Sequence, residues 1–189
     1  MGSIFSRVAG SLLLLGSAQV ILAIIIAESL YPGYSVHQAL SDLGVGSTAA
    51  IFNTSVIILG LTYVLAAYSM LDTIKSKPFL AALAVSGLAV IGVGLFPENT
   101  GLPHAIFALI TFLVGAATVL LSSRVVKGLL SYMFIVLGAV SFAAIILGIS
   151  AHYLGLGFGG MERIATYPIF IWSIAFGSYI LSSASAQSQ

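Results

Sequence analysis

The sequence predicts an all-α membrane protein: a polytopic bundle of six transmembrane helices in three helical hairpins, with a short interfacial helix in the first outer loop. Three observations predict it. Of 189 residues, 60% are hydrophobic and only 6% charged, with a mean hydropathy of +1.18, whereas a soluble domain carries about 25% charged residues. The apolar residues fall into six runs long enough to cross a hydrocarbon core about 30 Å thick, which takes roughly 20 residues per helix. Every Asp, Glu, Lys and Arg lies outside those runs.

The first run, about 8–27, follows Arg7. It is longer than the 7–15-residue apolar segment of a signal peptide, so an uncleaved first helix is expected. Met1-Gly2-Ser3-Ile4-Phe5-Ser6 ahead of it also fits the myristoylation pattern. In the first outer loop, Ser35-Val36-His37-Gln38 has the form of a capping box and Gly44 can end a helix. A lid-like helix over about 36–43 is expected there, with His37 and Ser41 on one face and Gln38 and Asp42 on another. The second and third runs, about 48–71 and 79–96, are separated by the turn from Asp72 to Pro78. The fourth and fifth, about 104–123 and 129–150, are bounded by Pro97–Pro103 and by Ser122–Gly128. A glycine-rich loop around 151–163 precedes the sixth, about 164–182, and the tail from Ser182 to Gln189 reads as a frayed end.

Basic residues favour the cytoplasmic side of a membrane. Arg7, Lys75, Lys77, Arg124 and Lys127 fall on one side and only Arg163 on the other. The expectation is a multi-pass protein of the cell membrane with both termini cytoplasmic. Tyr31, Tyr34, Tyr153 and Tyr167 would mark the outer interface, and Tyr68, Tyr132 and Tyr179 the inner one. With 6 Lys and Arg against 5 Asp and Glu there is no basic field for nucleic acid. The expected partners are the lipid bilayer and other membrane subunits or a second copy. The absence of cysteine excludes thiol catalysis and disulfides.

The hairpins hint at repetition. Ala50-Ile51-Phe52 recurs as Ala105-Ile106-Phe107, and at the same offset Gly60 matches Gly115. The odd spans share a central glycine, Gly16, Gly87 and Gly138, while Ala82 with Ser86 and Ala139 with Ala143 suit close helix packing. Gln19 and Trp172 are expected to pack between helices.

All three histidines and four of the five acids lie at the outer ends of the helices. Exclusion of charge from hydrocarbon explains part of this; convergence on one outer pocket is the functional alternative. In that reading His37, His104 and His152 are candidate zinc ligands, and Glu98 and Asp42 candidate general bases. Glu28, Ser41, Asn53, Glu162 and Arg163 are further candidates for the pocket. Glu98 and His104 flank one tight turn, where the carboxylate either orients the imidazole or only stabilises the turn. Gly155-Leu156-Gly157-Phe158-Gly159-Gly160, near Arg163, is either a flexible loop or a backbone nest for an anionic headgroup. Ser150 and His152 are two apart and would not face each other on a helix. No Gly-x-Ser-x-Gly elbow, His-Glu-x-x-His or phosphate-binding Walker motif is present.

Ser41-Asp42-Leu43-Gly44, Phe52-Asn53, Gly60, Gly94-Leu95-Phe96-Pro97 and His104 together resemble the six-helix membrane family called domain of unknown function 998. The resemblance covers most of the chain and implies a compact helical bundle, but no activity. The inventory of three histidines, an Asp and a Ser is also similar to that of the alkaline ceramidase and adiponectin-receptor superfamily, seven-helix zinc hydrolases. This chain departs from them in having six spans and no His-x-x-x-His pair, so no residue is carried over.

Small size, short loops and missing catalytic motifs favour a small subunit or scaffold of a membrane assembly. The alternative is an outer-face, metal-dependent hydrolase of lipid or lipid-linked substrate. Haem held by His104 and His152, transport and lipid binding are further alternatives. The shortage of ionisable residues at the midplane speaks against proton-coupled transport.

Overall fold

A computed structural model describes residues 2–186. Among them are six α-helices: α1 (Gly2–Leu30), α2 (Ala49–Ser69), α3 (Lys77–Leu95), α4 (Leu102–Ser122), α5 (Leu129–Ile149) and α6 (Gly157–Ala186). Two short 3₁₀ turns stand at Ser41–Gly44 and Glu98–Thr100, and the described residues contain no strand. All six helices are long and apolar enough to cross a membrane. This is a multi-pass membrane protein.

The four middle helices agree with the expected spans to within two residues. The ends of the chain do not. α1 begins at Gly2 and runs to Leu30, while α6 starts at Gly157 and continues through Ser182 to Ala186. The glycine-rich loop is therefore about half helix, and the part of the tail that is described is ordered helix. The myristoylation pattern begins, and the tail ends, outside the described residues.

Each helix packs on the next and α6 packs on α1, closing a ring. Lipid tails are as apolar as leucine, so close van der Waals packing, rather than a hydrophobic force, holds such helices together. Glycines set the closest approaches. A Cβ on Gly60 would come 2.5 Å from the Gly87 carbonyl oxygen, and one on Gly10 would come 2.7 Å from that of Gly177. The central glycines of the odd helices share this role: Gly16 faces Thr62, Gly87 faces Gly60 and Gly138 faces Leu120. Ala139 and Ala143, expected at a helix contact, face outward instead; Ser141 on the opposite side donates to the Ala165 carbonyl of α6.

The face carrying Arg7, Lys75, Lys77, Arg124 and Lys127 is here called the basic face, and the other the distal face. Toward the basic face the interior is filled with aromatic rings. Phe79 meets Trp172 and Phe176 edge-on at 6.3 and 5.3 Å, and Phe134 meets the same two rings at 6.4 and 6.1 Å. Trp172 is fully buried and its indole N–H donates to Ser122 Oγ at 2.7 Å. Gln19 joins α1 to α2 through the Ser55 carbonyl at 2.8 Å. Toward the distal face the ring is not filled. There α5 lies over the seam where α4 and α6 touch, and the other five helices surround a cavity.

Candidate functional site

The cavity has a volume of about 80 Å³ and lies under the first 3₁₀ turn. Its body is apolar: Val20 and Ile24 from α1, Val56 and Leu59 from α2, Val90 from α3, Ala108 and Phe112 from α4 and Phe170 from α6. Ser41, His104, Thr111, Glu162 and Thr166 supply its polar groups. A second cavity of about 90 Å³ between α4, α5 and α6 shares Phe112 and Glu162 with it.

The polar end is built by local rules. Pro103 in the first turn of α4 presets the helix start, which seats His104 with its Nδ1 2.8 Å from the Phe96 carbonyl oxygen. A carbonyl only accepts, so Nδ1 carries the proton and Nε2 is the acceptor nitrogen. Of the two readings of this turn, a carboxylate orienting the imidazole is not what forms: the ring is held by the carbonyl that follows α3. The Glu98 side chain lies instead beside Ser41 and Asp42, with His104 within electrostatic reach. Glu162 accepts the Leu40 N–H at 2.6 Å and lies within electrostatic reach of Glu98 and Asp42. Three carboxyls thus gather where the apolar cavity begins.

Two oxygens there have no protein partner: Glu98 Oε2 and Thr111 Oγ1 are buried and unbonded. Threonines in membrane helices usually return their hydroxyl to the carbonyl one turn back. Thr118 and Thr166 do so, at 2.7 and 2.8 Å; Thr111, on the cavity wall, does not.

Burial pushes the Glu98 carboxyl above the usual carboxylate range; Asp42 adds to the rise, while the Ser41 hydroxyl opposes it. Between the ordinary glutamate pKa and the raised value, the folded state therefore holds a proton that the unfolded chain has released. Stability from this group is fully present below the ordinary glutamate pKa and is lost as pH rises through the raised value. Glu98→Gln is expected to remove that loss. The unfolding midpoint in detergent, followed from about pH 4 to about pH 7, should fall more for the wild type than for the variant. Equal slopes would show that Glu98 titrates normally.

The other candidates form a second cluster. Arg163, in the second turn of α6, pairs with Glu28 at the end of α1. It also donates to Tyr34 Oη at 2.8 Å, to the Val36 carbonyl at 2.9 Å and to the Gln38 carbonyl at 3.2 Å. The Tyr34 hydroxyl donates to the Ala39 carbonyl at 2.8 Å, and its burial raises its pKa despite Arg163. The Gly159 N–H donates to the His37 carbonyl at 2.9 Å.

These bonds explain why no helix forms over 36–43. The carbonyls of Val36, His37 and Gln38 are turned toward donors on α6 instead of along a helix axis, and the Ala39 carbonyl accepts from Tyr34 as well as from the Asp42 N–H at 3.3 Å, a single turn and not a continuing helix. The Gln38 side chain does reach back to the Ser35 N–H at 2.8 Å, so the capping-box bond closes a turn without a helix. The same contacts correct the glycine-rich segment. A Cβ on Gly159 would stand 1.7 Å from the Gln38 oxygen, so glycine is needed there for close approach. The proposed anion nest is occupied by the chain's own carbonyls, and Arg163 is spent on Glu28 and the 34–38 segment.

Among the described residues no three His, Cys, Asp or Glu side chains are arranged to hold a metal ion. His37, His104 and His152 are not brought together. His37 Nδ1 bonds the Leu156 carbonyl at 2.9 Å on the exposed surface, and His152 Nδ1 bonds the Ser150 carbonyl at 2.8 Å in the α5–α6 loop. His152 also reaches Ser150 Oγ at 3.2 Å, since α5 ends before this pair and they do meet. Asn53 donates to the Gly44 carbonyl at 2.9 Å, fastening the 3₁₀ turn to α2; it does not line the cavity. Of the ten candidates, Ser41, His104 and Glu162 line the cavity and Asp42 and Glu98 adjoin them. Thr111 and Phe112 were not legible, because an interior face and a lipid face have the same composition.

The family model described as Protein of unknown function (DUF998) matches residues 14–179. The chain belongs to the DUF998 family. Its motif residues have structural roles in this DUF998 bundle. Ser41, Phe52 and His104 line the cavity, Gly60 meets Gly87, and a Cβ on Gly94 would come 2.8 Å from the Asn53 carbonyl oxygen. No curated protein and no solved structure matches this DUF998 chain.

Proposed function

We propose that this DUF998 protein binds an amphiphile, a lipid or lipid-like small molecule, in the distal cavity. The apolar part lies among α1, α2, α3, α4 and α6, and a head group rich in hydrogen-bond donors meets the carboxyls. The carrying observation is an apolar cavity whose polar end gathers Asp42, Glu98 and Glu162 around Ser41 and His104. Ligand sites combine an apolar wall with a few placed polar groups, and a volume of about 80 Å³ admits a small amphiphile or the end of one acyl chain. Unpartnered oxygens such as Glu98 Oε2 and Thr111 Oγ1 favour a ligand with a polar head, because an unsatisfied buried oxygen costs about 1–3 kcal/mol. The excess of basic residues on the opposite face supports an orientation with the cavity toward the outside of a cell membrane.

The test is extraction in mild detergent followed by native mass spectrometry and lipid analysis. The wild type is expected to retain an amphiphile of defined mass. Ala108→Trp, which fills the cavity, is expected to lose it while keeping its helix content. Equal retention by both proteins would overturn the proposal.

Hydrolysis of the bound amphiphile is a second reading. His104 favours it, because its Nε2 is left as a base in a cavity that also holds Ser41. Recovery of cleaved ester or amide products in the same preparation supports it. A role as a small subunit of a membrane assembly is compatible with ligand binding; a stoichiometric protein in that preparation supports it.

A further inference from the structure

A second concavity lies at the basic face, away from the distal cavity. α2 and α3 are pressed together along their distal and middle turns, where a Cβ on Gly87 would meet the Val64 nitrogen at 2.9 Å. Beyond Val64 they flank an open groove of about 710 Å³. Ala67, Ala81 and Ala84 leave it open, and Leu71 and Leu80 wall it. Lys75 and Lys77 stand at its rim with Tyr68, whose ring is 70% exposed. No acid lines it; Asp72 is exposed in the adjoining turn.

We propose that this groove is a site for an anionic phospholipid of the leaflet at the basic face. One acyl chain lies along the alanines and the phosphate sits between Lys75 and Lys77. Charge complementarity commits the site to that occupant. An ammonium is a strongly hydrated point charge suited to phosphate, and each lysine near an anionic leaflet strengthens the attraction. Arg124 and Lys127 share the same face, but they do not line the groove. The groove adds what surface charge lacks, a concave apolar track that holds one chain in place. The inference does not depend on the distal cavity being a ligand site.

The experiment is native mass spectrometry of the full chain in nonionic detergent with equimolar phosphatidylglycerol and phosphatidylcholine. Phosphatidylglycerol adducts are expected to exceed phosphatidylcholine adducts about tenfold. The Lys75→Gln, Lys77→Gln double variant is expected to bring the two to parity. Ala81→Trp fills the groove, keeps both lysines and is also expected to lose the preference. Arg124→Gln with Lys127→Gln is expected to retain it. An unfolding midpoint for each variant shows that it is folded. The proposal is overturned by equal adducts in the wild type, by a preference that survives Ala81→Trp, or by its loss on changing Arg124 and Lys127 alone.

Discussion

Replacing Arg163 with methionine is expected to destabilise the protein by about 3 kcal/mol, the lower end of the range for breaking a buried pair by removing one partner, because this pair is partly exposed. Both side chains are mostly shielded, Arg163 at 11% exposure and Glu28 at 24%, so Glu28 would be left charged with little water to solvate it. The loss reaches beyond the pair. Arg163 also holds the carbonyls of Val36 and Gln38, which anchor the segment leading into the first 3₁₀ turn and thus Ser41 above the cavity. Denaturant unfolding in detergent measures the effect. Adding Glu28→Gln to Arg163→Met is expected to recover part of the stability, because the stranded charge is then gone. No recovery would mean that the carbonyl bonds, and not the ion pair, carry the anchor.

Trp172→Ala is expected to cost about 3 kcal/mol, the lower end of the range for truncating a large buried aromatic. The lower end applies because the unfolded reference in detergent or lipid is itself apolar, so little transfer energy is lost. What is lost is packing against Phe79, Phe134 and Phe176 and the bond from the indole to Ser122 Oγ. Trp172→Phe keeps most of the ring contact and removes the bond, leaving a buried hydroxyl short of one donor. Its expected cost is about 1–2 kcal/mol, readable as a smaller shift of the unfolding midpoint. A Phe variant as unstable as the Ala variant would place the energy in the hydrogen bond.

Local chemistry made some of the site legible. The polarity of Ser41, Asp42, Glu98 and His104 stood out against an apolar background, and Pro103 placed His104 at a helix start. The pairing of those residues was not legible. His104 meets a backbone carbonyl, which every residue has and no composition reveals. Glu28 and Arg163 are 135 residues apart, and nothing in either neighbourhood points to the other. The glycines at 155–160 read as a loop because glycine has two uses, turning the chain and admitting close approach. Gly155 and Gly157 do have positive φ, while Gly159 admits the Gln38 carbonyl.

By itself the sequence determined that this chain spans a membrane six times and where four of those spans begin and end. A bilayer imposes a length and excludes charge, and both constraints act on each residue without reference to any other. Tertiary structure alone decided that the distal polar groups divide into an acidic cavity end and an arginine clamp. It also decided that segment 36–43 is a pinned loop and that the distal half of the ring holds a cavity. Lipid and protein interior are equally apolar, so hydropathy cannot say which face of a helix borders a void. Hydrogen bonds from distant donors likewise override a local helical pattern only once the chain has folded.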